Sequence, residues 1–331
     1  MLSKLKIEPA ERSVIFVDSP LTVETEDDPL LPSEIFKICS ELSDGKPEQI
    51  TEVNVEKFEE YSRKVRSMIT DIEKPTWLRV SPEQELEQVL NSGSKSVLLF
   101  GPPRTGKTRI IDQIKQRNDP ARETIQIHDG WGYDNLIQGL KPDQNGNWKW
   151  EDGPLKRAIE SGKKFIVLEE INRTQITQSL GETFSLIEDA YRGVDHALTL
   201  RDGKPFFIPD DVIFVMTMNT IDKSTEEVDD ALMGRISAIE FPPRAEDLNS
   251  MLSSLGLDSS VISKISEVYA QILEIYPLGH GYFSGLSPNT DATQFISYYK
   301  VRIRPVLNNF FGELKSHELD KIDNLVDQKF T

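Results

Sequence analysis

The sequence is poor in the residues that build disulfides and metal cages: it has one cysteine, Cys39, and four histidines in 331 residues. A single cysteine excludes an internal disulfide, and histidines without cysteine partners give no zinc-type ligand spacing. Long apolar runs are also missing. None approaches the roughly 20 residues of a membrane span, and polar sequence follows Met1 to Lys6 where a signal peptide would carry its apolar core. Basic charge is short as well, with 38 Lys and Arg against 55 Asp and Glu and a formal net charge of −17. Non-specific nucleic-acid affinity rests on Lys and Arg displacing counterions, so this surface repels DNA on average. The imbalance is marked in the first 95 residues, which hold 12 Lys and Arg against 20 Asp and Glu. These absences point to a cytoplasmic protein with no membrane association, and any DNA contact falls to a local patch or another subunit.

What is present has a clear order. Val14 to Val17 reads as a short strand, followed by a Pro-rich acidic segment to Pro32 and a helix around Ser33 to Leu42. Phe58, Tyr61, Val65, Met68, Ile69 and Ile72 share one helical face, and Lys74-Pro75 ends that helix and this mostly helical N-terminal region. Ser81-Pro82-Glu83-Gln84 has the composition of a capping box with proline at the first helical position, and Gly93 supplies the stop. Short, unbroken apolar strands then alternate with helices. The strands are expected at Ser96 to Phe100, Thr124 to Ile127, Phe165 to Leu168, Val212 to Val215 and Ile236 to Phe241, with a helix over Thr105 to Gln116. That alternation defines an α/β fold with a parallel sheet covered on both faces. After Pro242-Pro243 the apolar spacing is helical to Val326. Three regions follow: 1–75, an accessory or partner-binding region; 76–243, an α/β nucleotide-binding unit; and 244–331, a helical lid.

Gly101-Pro102-Pro103-Arg104-Thr105-Gly106-Lys107-Thr108 satisfies G-x-x-x-x-G-K-T between an apolar strand and a helix, the setting that makes it a phosphate-binding P-loop. Backbone N–H groups and the helix N-terminus face the phosphates, Lys107 reaches the outer ones, and Thr108 can ligate Mg²⁺. Phe165 to Leu168 runs into Glu169-Glu170, the layout of a Walker B strand end. There the first carboxylate holds Mg²⁺ and the second polarises the attacking water. Asn219, ending another buried strand, suits a sensor of the γ-phosphate, although Asn219-Thr220-Ile221-Asp222 also matches the N-x-x-D element that reads guanine in some GTPases. Arg235, after Asp229 to Gly234, is either an arginine finger reaching a neighbouring subunit's site or a surface cation. The segment Trp131 to Trp150, with Tyr133, Trp148 and Lys149, either lines a central pore or packs an insertion. His280 is either catalytic or a packed core histidine.

With these residues in place, the chain resembles the McrB branch of AAA+ proteins, the NTPase subunits of modification-dependent restriction systems. The likeness runs from about residue 76 to the end. It is carried by Tyr133 to Pro142, Asp152-Gly153-Pro154-Leu155, Glu169-Glu170-Ile171-Asn172-Arg173, Gly181 to Glu188, Met216 to Ser224 and Gly279-His280-Gly281-Tyr282-Phe283. It departs from the pattern at three places: Glu169 stands where aspartate is usual, Arg104 replaces a glycine, and Met233-Gly234-Arg235 keeps one arginine where several are common. That leaves Arg235 as the finger candidate, with Arg173 as an outside one. The resemblance implies a hexameric ring hydrolysing ATP or GTP with Mg²⁺, and a separate McrC-like nuclease subunit through which the complex engages DNA. A MoxR-like remodelling chaperone and a nucleotide-binding scaffold with weak hydrolysis share the same architecture.

Overall fold

The computed structural model describes residues 4–8, 13–17, 52–54, 80–221, 230–311 and 316–331. Contacts divide the chain into two compact units, residues 1–80 and 81–331. In the first, β1 (Lys4–Glu8), β2 (Ser13–Val17) and β3 (Glu52–Asn54) form an antiparallel sheet. The expected strand at Val14 to Val17 lies within β2. The helices expected around Ser33 to Leu42 and Phe58 to Ile72 lie outside the described residues.

The second unit opens with α1 (Pro82–Asn91). Its cap is the one its composition predicts: Gln84 N–H donates to Ser81 Oγ at 3.2 Å and the Gln84 side chain accepts from Ser81 N–H at 3.3 Å. Then come β4 (Ser96–Gly101), α2 (Lys107–Ile114), β5 (Arg122–Gln126), α3 (Tyr133–Leu136), β6 (Gln138–Pro142), β7 (Trp148–Asp152), α4 (Pro154–Glu160), β8 (Phe165–Glu169) and α5 (Ile176–Leu180). Two short strands, β9 (Leu198–Thr199) and β10 (Pro205–Phe206), precede β11 (Ile213–Asn219), α6 (Asp230–Met233) and β12 (Ser237–Glu240).

Five strands make one parallel sheet in the order β12-β4-β11-β8-β5. The alternation of side chains divides them between two cores. Leu98, Ile166, Leu168, Phe214 and Met216 enter one, whereas Val97, Leu99, Val167, Val215 and Ile239 enter the other with Ile110 and Ile111 of α2. A strand buried on both faces has no polar alternation to show, which is why these segments read as continuous apolar runs. Strand β11 runs on to Asn219, beyond the expected Val215, because Thr217, Met218 and Asn219 stay in register with Leu99, Phe100 and Gly101. Helix α2 is shorter than its apolar pattern, since the loop before Lys107 is curled rather than helical and Lys115 is extended.

The rest of the unit is helical: α7 (Ala245–Ser254), α8 (Ser259–Leu273), α9 (Ala292–Tyr298), α10 (Arg304–Phe311) and α11 (Ser316–Phe330), with a π-helical turn at Tyr299–Ile303. They enclose a third core that includes Leu248, Tyr269, Phe283, Phe295 and Ile322. Among the described residues no helix is long and apolar enough to cross a membrane.

Gly101 is the tightest point of the sheet. Its φ is +142°, and a Cβ there would run into the Phe241 carbonyl, while Phe241 N–H donates to Phe100 O at 2.7 Å. Gly101→Ala therefore combines backbone strain with a clash against main chain. It is expected to destabilise the unit by about 3 kcal/mol, read as a fall in Tm of about 8 °C by differential scanning fluorimetry.

Candidate functional site

The sheet order decides what can meet. β4 lies between β12 and β11, and β11 lies between β4 and β8, so the C-terminal ends of β4, β11 and β8 stand side by side. Ligands of open parallel sheets bind at this edge, beyond the strand ends. The P-loop leaves β4, Asn219 closes β11 and Glu169-Glu170 close β8.

In the P-loop, Lys107 is 6% exposed, and its ammonium donates to Gly101 O at 2.9 Å and Pro102 O at 2.7 Å. Burial lowers its pKa from 10.5 to about 8, partly countered by the nearby Glu170 carboxylate. Arg104 takes the left-handed conformation, φ +62°, which only glycine adopts without cost. The C-terminal helical region holds it there: Gly281 N–H donates to Arg104 O at 2.9 Å and the guanidinium lies 5.0 Å from the Tyr282 ring centre. Gly279 backs directly onto the Pro103 and Arg104 backbone, where a Cβ would not fit. The Gly279-to-Phe283 block is thus a backbone clamp on the loop.

Glu170, also left-handed at φ +58°, is held from four directions. Its N–H donates to Thr217 Oγ1 at 3.1 Å, Asn219 Nδ2 donates to Oε1 at 3.4 Å, Arg173 Nε donates to Oε2 at 2.8 Å, and its charge acts on Lys107. Asn172 Nδ2 fixes the Asn219 carbonyl at 2.9 Å. Glu169 follows Val167 on the face that α2 covers, and Arg117 Nη2 donates to its Oε1 at 3.2 Å.

The structure therefore brings together Lys107, Glu170 and Asn219 beside the loop. Arg235 makes a different set of contacts: Nη1 donates to Ala231 O at 2.6 Å, the guanidinium lies 4.9 Å from the Phe184 ring centre, and Nε is 3.5 Å from Glu188. Arg173 is engaged with Glu170 of its own chain. Asp222 of the N-x-x-D reading lies outside the described residues. Sequence reasoning missed Arg117, and it missed Thr217, whose signal was a lone hydroxyl within an apolar strand.

A cleft of about 280 Å³ flanks the loop, lined by Thr105, Gly106, Arg109, Asp247, Met251 and His280 among others. His280 is 7% exposed with no partner for Nδ1, and burial lowers its pKa. The β6–β7 hairpin splits the aromatic segment. Tyr133 is buried below it, while Trp148 and Trp150 are exposed on one hairpin face with Leu140.

Hydroxyl and carboxylate oxygens are the donors magnesium takes, and it binds through one or two protein groups plus phosphate oxygens. Thr108 at the start of α2 and Glu169 on the α2 side of β8 fit that chemistry. Among the described residues no group of three or more His, Cys, Asp or Glu forms a metal cage.

A P-loop between β4 and a helix, a carboxylate pair at the end of β8, and an asparagine ending β11 between those two strands define an AAA+ P-loop NTPase, an enzyme that hydrolyses nucleoside triphosphates. The AAA domain (dynein-related subfamily) matches residues 96–236. Within that class the chain is distantly similar to McrB. It is 29% identical over 265 residues to the Type IV methyl-directed restriction enzyme EcoKMcrB subunit of Escherichia coli, a match covering 70% of this chain and 57% of that protein. It is also similar to the denitrification regulatory protein NirQ of Stutzerimonas stutzeri, 23% identical over 58% of this chain and 68% of that one. Protein NorQ of Paracoccus denitrificans is 31% identical over 28% of this chain and 33% of its own length.

The Lys107 shift gives nucleotide binding a pH dependence. A triphosphate favours the ammonium form, so above pH about 8 the lysine must take up a proton to bind it, and affinity falls as pH rises, approaching tenfold per pH unit. Below pH 8 this dependence disappears. Calorimetry in EDTA, in buffers of different ionisation enthalpy, is expected to show proton uptake at pH 9 and little at pH 7, and Lys107→Met is expected to abolish both the uptake and most of the affinity.

Proposed function

We propose that this chain is the ring-forming motor subunit of a DNA restriction or antiphage complex. In this reading it couples hydrolysis of ATP or GTP to DNA translocation or to activation of a separate nuclease. The observation that carries the reading is similarity to a restriction-enzyme subunit over 70% of the chain, together with a hydrolytic cluster at the strand ends. The amides of residues 101–108 and the Lys107 ammonium bind the phosphates. Thr108 and Glu169 hold magnesium, which when bound neutralises charge on the phosphate oxygens. Glu170 draws a proton from the attacking water, and Asn219 orients that water or the γ-phosphate. Lys107 is already poised among carbonyls that a phosphate oxygen outcompetes, because a charged acceptor forms the stronger hydrogen bond.

Arg235 is the candidate to complete a neighbour's site. Its present partners are the Ala231 carbonyl at 2.6 Å, one ring and one carboxylate at 3.5 Å, and work in trans requires the guanidinium to leave them. A finger in trans requires a closed head-to-tail ring, and a hexamer is the form proposed. Residues 1–75 are assigned to partner binding and 244–331 to a lid. A net charge of −17 assigns DNA contact to the assembled complex rather than to the isolated subunit.

The similarity to NirQ and NorQ favours a second reading, a MoxR-like chaperone that remodels a protein client. One set of assays separates these from a poorly hydrolysing scaffold. The motor reading expects nucleotide-dependent hexamers by mass photometry, turnover stimulated by DNA with the co-encoded nuclease, and loss of about 10²-fold or more in kcat for Glu170→Gln and for Arg235→Ala with nucleotide affinity retained. Stimulation by unfolded protein but not by DNA indicates the chaperone. Equal turnover in wild type and Glu170→Gln leaves only the scaffold.

A further inference from the structure

The carboxylate assigned to magnesium is not idle. Glu169 Oε1 accepts from Arg117 Nη2 at 3.2 Å, and Arg117 Nε is shared between both oxygens of Asp112, each at 3.2 Å. Asp112 also accepts from Arg122 Nη1 at 2.9 Å. Arg122 is fully buried at the start of β5, so the far end of this chain of charges is anchored in the fold. The near end is not: Arg117 is 57% exposed and lies just past α2, while Glu169 is 15% exposed. A pair of charges anchored at buried Arg122 therefore presents the exposed Arg117 guanidinium to the first acidic residue of the strand end.

Side-chain length makes this contact possible. With Arg117 where it stands, an aspartate at position 169 ends one methylene earlier, about 1.5 Å short, and the 3.2 Å contact lengthens beyond hydrogen-bond reach. The glutamate that departs from the family pattern and the arginine that meets it are thus one feature.

We propose that Arg117 is a positioning residue that competes with the divalent cation for Glu169, weakening metal binding until the ion pair opens. A guanidinium on the carboxylate occupies a lone pair that a metal or its water needs, and its charge repels a dication nearby. Both effects act in the same direction. The inference rests on the assignment of Glu169 to the metal, and the experiment separates the two.

Mn²⁺ affinity is measured by electron paramagnetic resonance with a non-hydrolysable nucleotide bound, at low ionic strength. Arg117→Gln is expected to tighten Mn²⁺ about fivefold, and the difference is expected to shrink at high salt, because the Arg117 side of the pair faces solvent. Glu169→Asp also opens the pair, so adding Arg117→Gln to it is expected to change affinity less than about twofold. Nucleotide affinity in EDTA and Tm are expected to stay at wild-type values in Arg117→Gln, which shows an intact site. Unchanged or weaker Mn²⁺ binding in Arg117→Gln, or full additivity in the double variant, overturns the proposal. Glu169→Gln tests the underlying assignment: if it leaves Mn²⁺ affinity unchanged, Glu169 is not the metal's carboxylate and both fall, whereas loss of affinity there with an inert Arg117→Gln removes this inference alone.

Discussion

The parallel pairing of β11 with β4 on one side and β8 on the other is the constraint on which everything else depends. Parallel strands in register end at the same edge, so residues 101, 169 and 219, far apart in sequence, share one site without long loops to bring them there. Val215, in register with Val97 and Val167, sits at the centre of the core that α2 covers. Burial on both faces is what fixes this register. A slip of one residue would turn Asn219 and Thr217 to the opposite face and exchange the two cores.

On that frame the catalytic edge carries strain at two points, Arg104 and Glu170, the described non-glycine residues with positive φ. Each costs of order 1–3 kcal/mol and persists because neighbours over-determine it. For Glu170 the neighbours belong to the sheet edge: Thr217, Asn219 and Arg173. For Arg104 they belong to the C-terminal helical region, through Gly281 and Tyr282. The loop conformation is therefore tied to that region by main-chain contact. The Arg104 side chain strengthens the tie with an aromatic contact.

Much of this could be read from sequence, for physical reasons. Unbroken apolar runs such as Phe165 to Leu168 are the signature of strands buried on both faces, and the Ser81–Gln84 cap is a local interaction written in four consecutive residues. The P-loop spacing and the Glu169-Glu170 pair are local too. What escaped was everything that depends on which segments become neighbours. Arg117 carried no signal in the sequence, because its contact with Glu169 exists only once β8 lies beside β5 and α2. Arg235 and Arg173 both looked available for work in trans, and in the fold Arg173 is paired with Glu170 of its own chain while Arg235 contacts Ala231, Phe184 and Glu188. The clamp by Gly279 and Gly281 was visible as a motif without its reason, which is close backbone approach to residues 103 and 104.

The charges of the site follow one logic. Each carboxylate at the end of β8 has its own guanidinium, Glu169 with Arg117 and Glu170 with Arg173. Lys107 instead donates its hydrogen bonds to two carbonyls, which satisfy its geometry but not its charge, and burial lowers its pKa as a result. A neutralised pair of acids beside an under-compensated ammonium is an arrangement that favours an incoming polyanion and disfavours a free dication. Phosphate supplies what Lys107 lacks, and it also brings the oxygens around which a metal can be completed. In a chain of net charge −17, where the long-range field repels a triphosphate, this local imbalance is what favours an incoming phosphate at the loop.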